Sequence, residues 1–559
     1  MSDMPLPSSV HSLVDLLERA QQAYPDNCAL RDRADDGYVT WSYREYAAHV
    51  HRLTQHLAAT APDAKIIGIL MPNCRWWGTA LLATLARDAV AVPLDVHLHV
   101  DELAAIVQHA HMSVLIHADT MAATAAAVQQ RCAGLATVLA IDIAGTSPAM
   151  TKTLSAYPAT RRPHAHVRCD TAVIIYTSGT TGLPKGVPLS HANLLIDVYD
   201  LLDMLAITRG EHFVSILPLN HVYELLGGFI APLALGASVT YAGSLRPDVI
   251  MQTIRDAQMT VMMVVPAFLR VFMERIKQRG RARRGPWFDR LLWLCRAAHA
   301  LRLPLGRVVF RSVRNAISPT MKCFICGGAP VDPALLKEYA ALGLTVLQGY
   351  GLTETAPVVA LSTFAHNRIG AVGKPVASIE VKVVPYAGAA PHTGELWVRG
   401  SIVFRGYYQD QDATAQAFHN DWFRTGDVAR MDGAGYLHIC GRIKNVIVTE
   451  GGKNIYPEDI ERLLLRSPWI KDAAVIGLPA AGKGEEPVAA VVPSDSFTAQ
   501  HAANTPQALR AHVLAFTPGL ADFKRPKKVF VLEHLPKTAS LKVKRHEVRA
   551  RLAHATPAP

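Results

Sequence analysis

Cysteine is scarce in this chain: eight occur in 559 residues, at positions 28, 74, 132, 169, 295, 323, 326 and 440. So sparse a set builds no disulfide scaffold and fits a reducing compartment. Charge is low as well, at 18% of residues, while half the residues are apolar. That balance excludes a disordered chain. Glycine has no three-residue period, which excludes collagen. The opening stretch, MSDMPLPSS, has no basic segment followed by an apolar one. A secretory signal is therefore not expected, and a cytoplasmic location is. No repeat at a 20–50 residue period is visible. Residues 225–245 carry no formal charge, which raises a membrane span. Five residues of that run are Gly or Pro, and it contains the strand-like Ser238-Val-Thr-Tyr241, so a buried helix followed by a buried strand is expected.

What the chain does have is length and a concentrated charge. At about 150 residues per domain, two to four domains fit, with no need of disulfide or metal staples. The net charge is +11. Residues 275–314 hold twelve basic side chains and one acid, Asp289, so the remainder is neutral. After Pro286, the set Phe288, Leu291, Leu292, Cys295 and Ala298 has helical spacing. Pro304 and Gly306 interrupt it. Arg307, Arg311 and Arg314 then share one face of a second short helix, with Val309, Val313 and Ile317 on the other. A basic amphipathic segment suits anionic lipid, or serves as a solvated face over the core. No nucleic-acid motif accompanies it, so nucleic acid is not expected as a partner.

Elsewhere helical and strand-like runs alternate. Residues 11–24, 41–58 and 101–111 read as amphipathic helices, and 66–70 and 89–92 as strands. This alternation predicts an α/β fold with largely parallel sheets. Residues 142–168, rich in Ser, Thr, Pro and His, read as a surface connection, and 493–508, polar and Ala-rich, as a loop inside a small C-terminal domain. Cys323-Phe-Ile-Cys326 is a lone CxxC without further ligands at zinc spacing, and reads as a strand. The pairs His49/His51, His109/His111 and His164/His166 show no metal spacing with carboxylates.

One segment asks for an anion. The strand-like Ala172-Val-Ile-Ile-Tyr176 leads into Thr177-Ser-Gly-Thr-Thr-Gly-Leu-Pro-Lys-Gly186. Glycines let backbone N–H groups approach phosphate, hydroxyls donate further bonds, and Lys185 supplies charge. It is not a Walker A loop, because Lys185 is followed by Gly186.

This loop resembles the phosphate loop of the adenylate-forming superfamily, which holds acyl- and aryl-CoA ligases, luciferase and nonribosomal adenylation domains. The family's other motifs follow in family order. They are Leu94-Asp95 after Ala91-Val-Pro93, Leu217-Pro-Leu-Asn-His-Val-Tyr-Glu224 and Gln348-Gly-Tyr-Gly-Leu-Thr-Glu-Thr355. Gly394-Glu-Leu-Trp-Val-Arg-Gly400, Trp422-Phe-Arg-Thr-Gly-Asp427 and Gly441-Arg-Ile-Lys-Asn-Val-Ile447 come next. Glu450-Gly-Gly-Lys-Asn-Ile-Tyr-Pro-Glu458 and Pro536-Lys-Thr-Ala-Ser-Leu-Lys542 close the series.

The resemblance implies a large N-terminal α/β domain of several subdomains, residues 1–440, and a small mobile α+β lid, residues 441–559, hinged near Lys444. It implies that Mg-ATP and an acid give an acyl-adenylate, which coenzyme A then converts to a thioester. By the resemblance, Thr177, Ser178, Gly179, Thr180, Thr181, Gly182 and Lys185 hold phosphates, and Glu354 is the oxygen ligand for Mg²⁺. Thr353 bonds the α-phosphate, Tyr350 faces adenine, and Asp427 accepts from the ribose with Arg442 nearby. Lys542 bridges the carboxylate and the α-phosphate. Leu541 stands where the family usually has glycine, and Lys537 and Lys544 are competing candidates. His221 acts at the acyl site, lined by Tyr223, Gly327, Gly328, Ala329 and Gly351. Gly451 and Gly452 line the pantetheine channel.

The Leu217–Leu225 motif and the basic insertion look most like the long-chain fatty acyl-CoA synthetase branch. The acid is therefore expected to be a medium- to long-chain fatty acid. Transfer to an acyl carrier protein is the alternative within the family, and a lipid- or nucleotide-binding protein with a degenerate site is the nonenzymatic one. The basic segment adds an expected peripheral contact with the inner face of an anionic membrane.

Overall fold

The computed structural model describes residues 10–35, 37–144, 153–159, 170–177, 184–301, 303–386, 389–450, 453–479, 484–502, 504–537, 543–553, 555 and 557–558. Two large sheets form the N-terminal part. In the nine-stranded sheet the central strands are parallel and run in spatial order Cys28–Ala34, Ser238–Tyr241, His212–Ser215, Val261–Val264, Cys323–Cys326 and Val346–Gly351. Antiparallel strands close both edges. The six-stranded sheet is parallel through Thr137–Ile141, Val114–Ala118, Ile66–Leu70, Val90–Pro93 and Thr171–Thr177. Its last strand, Lys185–Ser190, turns back antiparallel. Both sheets are apolar on either face, as parallel sheets covered by helices must be. The fold is the expected α/β arrangement.

Helices Leu13–Ala23, Tyr43–Thr60, Arg75–Ala86 and His191–Leu205 carry much of the main core. Three of them start on reciprocal caps, with Ser12, Ser42 and Ser190 accepting from the backbone three residues on. Residues 222–235 are helical throughout, with a π-helical turn at Leu225–Ile230, and Ser238–Tyr241 is a buried strand. Among the described residues no helix is long and apolar enough to cross a membrane.

An antiparallel five-stranded sheet follows, built from Ile379–Val384, Gly394–Gly400, Trp422–Met431, Phe418–His419 and Leu437–Arg442. Beyond it lies a three-stranded sheet, Ile470–Pro479, Glu485–Pro493 and Lys528–Val531, with separate apolar clusters on its two faces.

Two expectations are corrected. Residues 493–508 are not a loop: Asp495–Gln500 is a helix capped by Ser494, and a second helix begins at Thr505. Their polarity hid the helical spacing of buried Leu509 and Val513, with Phe497 buried in the first helix. The short basic helix is two helices, Leu305–Val309 and Arg311–Ile317, parted at buried Phe310. Phe310 turns inward between the two helices and meets Phe288 edge-on at 5.5 Å. Most of 142–168 lies outside the described residues.

Candidate active site

A cleft of about 2950 Å³ opens between these parts. Thr177, Lys185, His221, Tyr223, Gly327, Gly328, Ala329, Tyr350, Gly351, Thr353, Glu354, Asp427, Arg442 and Lys444 all line it. They come from five separate sequence motifs and the 327–329 stretch. Ser178, Gly179, Thr180, Thr181, Gly182, Gly451, Gly452 and Lys542 lie outside the described residues.

At one end the cleft is polar. Asp427 and Arg442 face each other across adjacent antiparallel strands. Arg442 Nε donates to Asp427 Oδ1 at 2.7 Å, and the Tyr350 hydroxyl donates to Oδ2 at 2.6 Å. Asp427 is only 4% exposed, so both bonds form where water competes weakly. The Asp427 charge pushes the Arg442 pKa up. Burial, then that same charge, raises the Tyr350 phenol, which keeps it a donor. The pairing of the two strands starts at their turn and shifts once, at an irregularity between Val428 and Ala429, before it reaches Asp427. At the turn the Asp432 carboxylate accepts from the backbone N–H of Ala434 and Tyr436, each at 3.0 Å, and lies 3.1 Å from His438 Nε2.

Glu354 sits on a 3-10 turn, Thr353–Thr355, held from several directions. The Thr355 hydroxyl lies 2.9 Å from the Pro357 carbonyl and 3.0 Å from that of Leu352. The Val358 N–H donates to Asp197 Oδ2 at 2.8 Å, tying the turn to the helix that follows the phosphate-loop strands. Gly351 is required here, because a Cβ would collide with the Pro357 carbonyl. Ala356 adopts φ +64°, a left-handed conformation rare for alanine. Strain of this kind persists where the surroundings enforce it.

Tyr407 joins the two halves of the polar end. Its hydroxyl donates to Glu354 Oε1 at 2.9 Å, and Lys185 Nζ lies 4.7 Å from its ring centroid. Burial and the Glu354 charge raise its phenol pKa. The next residue, Tyr408, donates its N–H to the Gly186 carbonyl at 2.8 Å. Tyr407 is absent from the sequence expectations, since 53 residues separate it from Glu354. The Gly406-Tyr-Tyr408 triplet is the signal that marks it.

At the other end the cleft is apolar. The Tyr223 hydroxyl donates to the Ile325 carbonyl at 2.8 Å and lies 3.3 Å from that of Val264, bridging the ends of two parallel strands. The hydroxyl is thus spent on the scaffold, and the ring lines the wall beside Gly327. Beyond it the lining continues through Met263, Phe268, Phe272, Ile276, Val313 and Ile317. The last five belong to Pro266–Arg284 and Arg311–Ile317, so the basic insertion roofs this lobe. Cys326 is buried on the strand below, where burial raises its thiol pKa. Glu224, also unforeseen, is fully buried beside the lobe, against Gly228 one turn on. Burial pushes its pKa to about 8.

The C-terminal part completes the cleft. Arg466 makes a bidentate pair with Asp332 at 2.8 and 2.9 Å. Asp332 also caps the helix Pro333–Ala341. The two lysines that compete with Lys542 both face carboxylates: Lys537 pairs with Asp472, and Lys544 with Glu547 at 2.9 Å.

Comparison with known proteins agrees with this architecture. The model of the family described as AMP-binding enzyme matches residues 17–408, and that of the AMP-binding enzyme C-terminal domain matches 459–542. A feruloyl-CoA synthase of Amycolatopsis sp. is 30% identical, over 92% of this chain and 94% of that protein. A long-chain-fatty-acid–CoA ligase of Mycobacterium tuberculosis is 33% identical, over 72% of this chain and 69% of that protein. Among solved structures, an anthranilate CoA ligase in complex with anthranoyl-AMP aligns with TM-score 0.80 at 21% identity, covering 99% of both chains. ATP-bound MatB from Rhodopseudomonas palustris aligns with TM-score 0.78 at 27% identity, covering 97% of this chain and 99% of that one.

Proposed function

The chain belongs to the AMP-binding enzyme family and is an AMP-forming acid–thiol ligase, and from that premise we propose that its acid is a medium- to long-chain fatty acid and its thiol acceptor coenzyme A. Its cofactors are ATP, Mg²⁺ and coenzyme A. The observation that carries the fatty acid is the apolar lobe, which runs from Tyr223 to beneath the helices of the insertion. A long acyl chain needs such a length of apolar wall.

In this reading Asp427 accepts from the ribose hydroxyls. Tyr350 and Arg442 fix the orientation of its carboxylate, which lines the cleft. Tyr350 offers its ring to adenine, and Thr353 donates to the α-phosphate. Lys185, Thr177 and the 178–182 loop neutralise the departing pyrophosphate. The Glu354 carboxylate, half-buried at the cleft wall, is a hard oxygen donor suited to Mg²⁺. The metal, when bound, neutralises phosphate charge. Lys542 brings the acid carboxylate and the α-phosphate together, two anions that otherwise repel. His221, Gly351 and the 327–329 backbone line the acid's reacting end. Residues 1–440 and 441–559 act as body and lid about Lys444, and Gly451 and Gly452 border the thiol's path.

The test is ATP-dependent pyrophosphate release over straight-chain acids of graded length, with coenzyme A and an acyl carrier protein as competing thiols. Release that rises with chain length and thioester on coenzyme A are expected. The similarity to a feruloyl-CoA synthase over 92% of the chain supports a second reading, an aryl acid. Preference for hydroxycinnamates over every fatty acid would establish that one instead.

A further inference from the structure

The helix Trp287–Ala300 has an outer face that water does not explain. Phe288, Leu292 and Cys295 recur at helical spacing and seat it on the core. The opposite side of a surface helix is expected to be polar. Here, at 100° per residue, that side carries Trp293, Leu294, Ala297 and, just past the helix end, Leu301, together with Arg290. Trp293 is 66% exposed and Leu301 74%. Fourteen large apolar side chains are exposed among the described residues, and eight of them fall between 271 and 308. The apolar surface is therefore a patch, and a patch of this kind marks a docking site.

Residues 275–314, which overlap this stretch, carry a charge equal to the chain's whole net charge. Nine of their arginines are exposed, and Arg290 lies over the Trp287 ring at 5.0 Å. An acidic protein would match the charge and leave the protruding Trp and Leu side chains without a partner. A lipid interface matches both: headgroup phosphates meet arginine, and the acyl boundary receives tryptophan and leucine. The inner side of the insertion roofs the apolar lobe of the cleft.

We propose that the outward face of residues 287–308 docks the enzyme on an anionic bilayer, so that a membrane-dissolved acid enters the cleft beneath the insertion. The entry half rests on the fatty-acid reading; the docking half does not.

The full-length enzyme is sedimented with sucrose-loaded vesicles of phosphatidylcholine alone and of phosphatidylcholine mixed with phosphatidylglycerol. Wild type is expected to follow the mixed vesicles. The variant Trp293→Ser/Leu294→Ser/Leu301→Ser should lose at least about tenfold in binding. Arg290→Gln/Arg296→Gln/Arg307→Gln should lose a similar amount, and binding by wild type should weaken with salt. None of these residues lines the cleft, so thermal melting and turnover of a short, soluble acid should stay unchanged. Undiminished binding by the serine variant overturns the proposal. So does wild type that ignores both vesicles, or whose serine patch instead abolishes self-association or capture of an acyl carrier protein. Docking without fatty-acid turnover leaves docking standing and removes the fatty-acid reading; turnover without docking does the reverse.

Discussion

The two ends of the cleft are built on opposite plans. At the polar end every group is named by its neighbour: Tyr350 and Arg442 hold Asp427, and Tyr407 holds Glu354. At the apolar end almost nothing is directional. Met263, Phe268 and Val313 share a wall because strands and helices happen to end there. Hydrogen bonds fix atoms to tenths of an ångström, whereas apolar contact fixes only volume and area. A nucleotide common to a whole family suits the first plan, and an acid that differs among relatives suits the second.

Four changes probe that contrast, from the largest expected effect downward. Lys542→Ala should lower adenylate formation by at least about 10²-fold, the scale of removing one transition-state charge contact. Thioester formation from supplied acyl-adenylate should persist; full overall activity would hand the role to Lys537 or Lys544. Tyr407→Phe should raise KM for Mg-ATP by roughly 10-fold, as loss of a ligand's outer partner does, with no change in the preferred acid. If acid preference moves instead, the two ends are not separate. Phe268→Ala should do the converse. It should shift preference toward bulkier acids by about 10-fold in kcat/KM and leave KM for ATP as it was.

Glu224→Gln tests the buried carboxyl beside the apolar lobe. Its folded pKa of about 8 lies above the ordinary 4.5. The folded state therefore keeps a proton that the unfolded state releases. Wild-type stability is greatest below pH 4.5 on this account and falls as pH rises to 8, by up to about 1.4 kcal/mol per unit. The glutamine variant should melt with a flatter pH profile between 5 and 8. Parallel profiles would show Glu224 ionised and partnered.

The contrast also explains what the sequence could say. The polar end was legible because each motif is a short run whose backbone does part of the work. Asp427 and Arg442 come from separate motifs, yet strand register brings them together. The helix–strand alternation was legible for the same local reason. Tyr407 was not, since its partners Glu354 and Lys185 are neighbours only in space. Glu224 was quoted in its motif without a role, because burial alone gives it one. The helices at 495–516 were missed where alanine and polar residues blurred the period. The acid pocket stayed illegible because lining residues from scattered elements share no spacing.

The turn at Asp432 has a consequence for how such a chain tolerates change. It lies five residues from Asp427, outside the cleft lining, and together with the register shift at Val428–Ala429 it sets which residues of the two strands stand opposite one another. Side chains on a strand alternate between faces, so a slip of one position would turn Asp427 away from Arg442. Insertions or deletions of one residue in 432–436 are thus closed to drift unless a bulge absorbs them, while substitutions that keep the turn are open. A stretch outside the cleft lining is held to a fixed length by a residue within it.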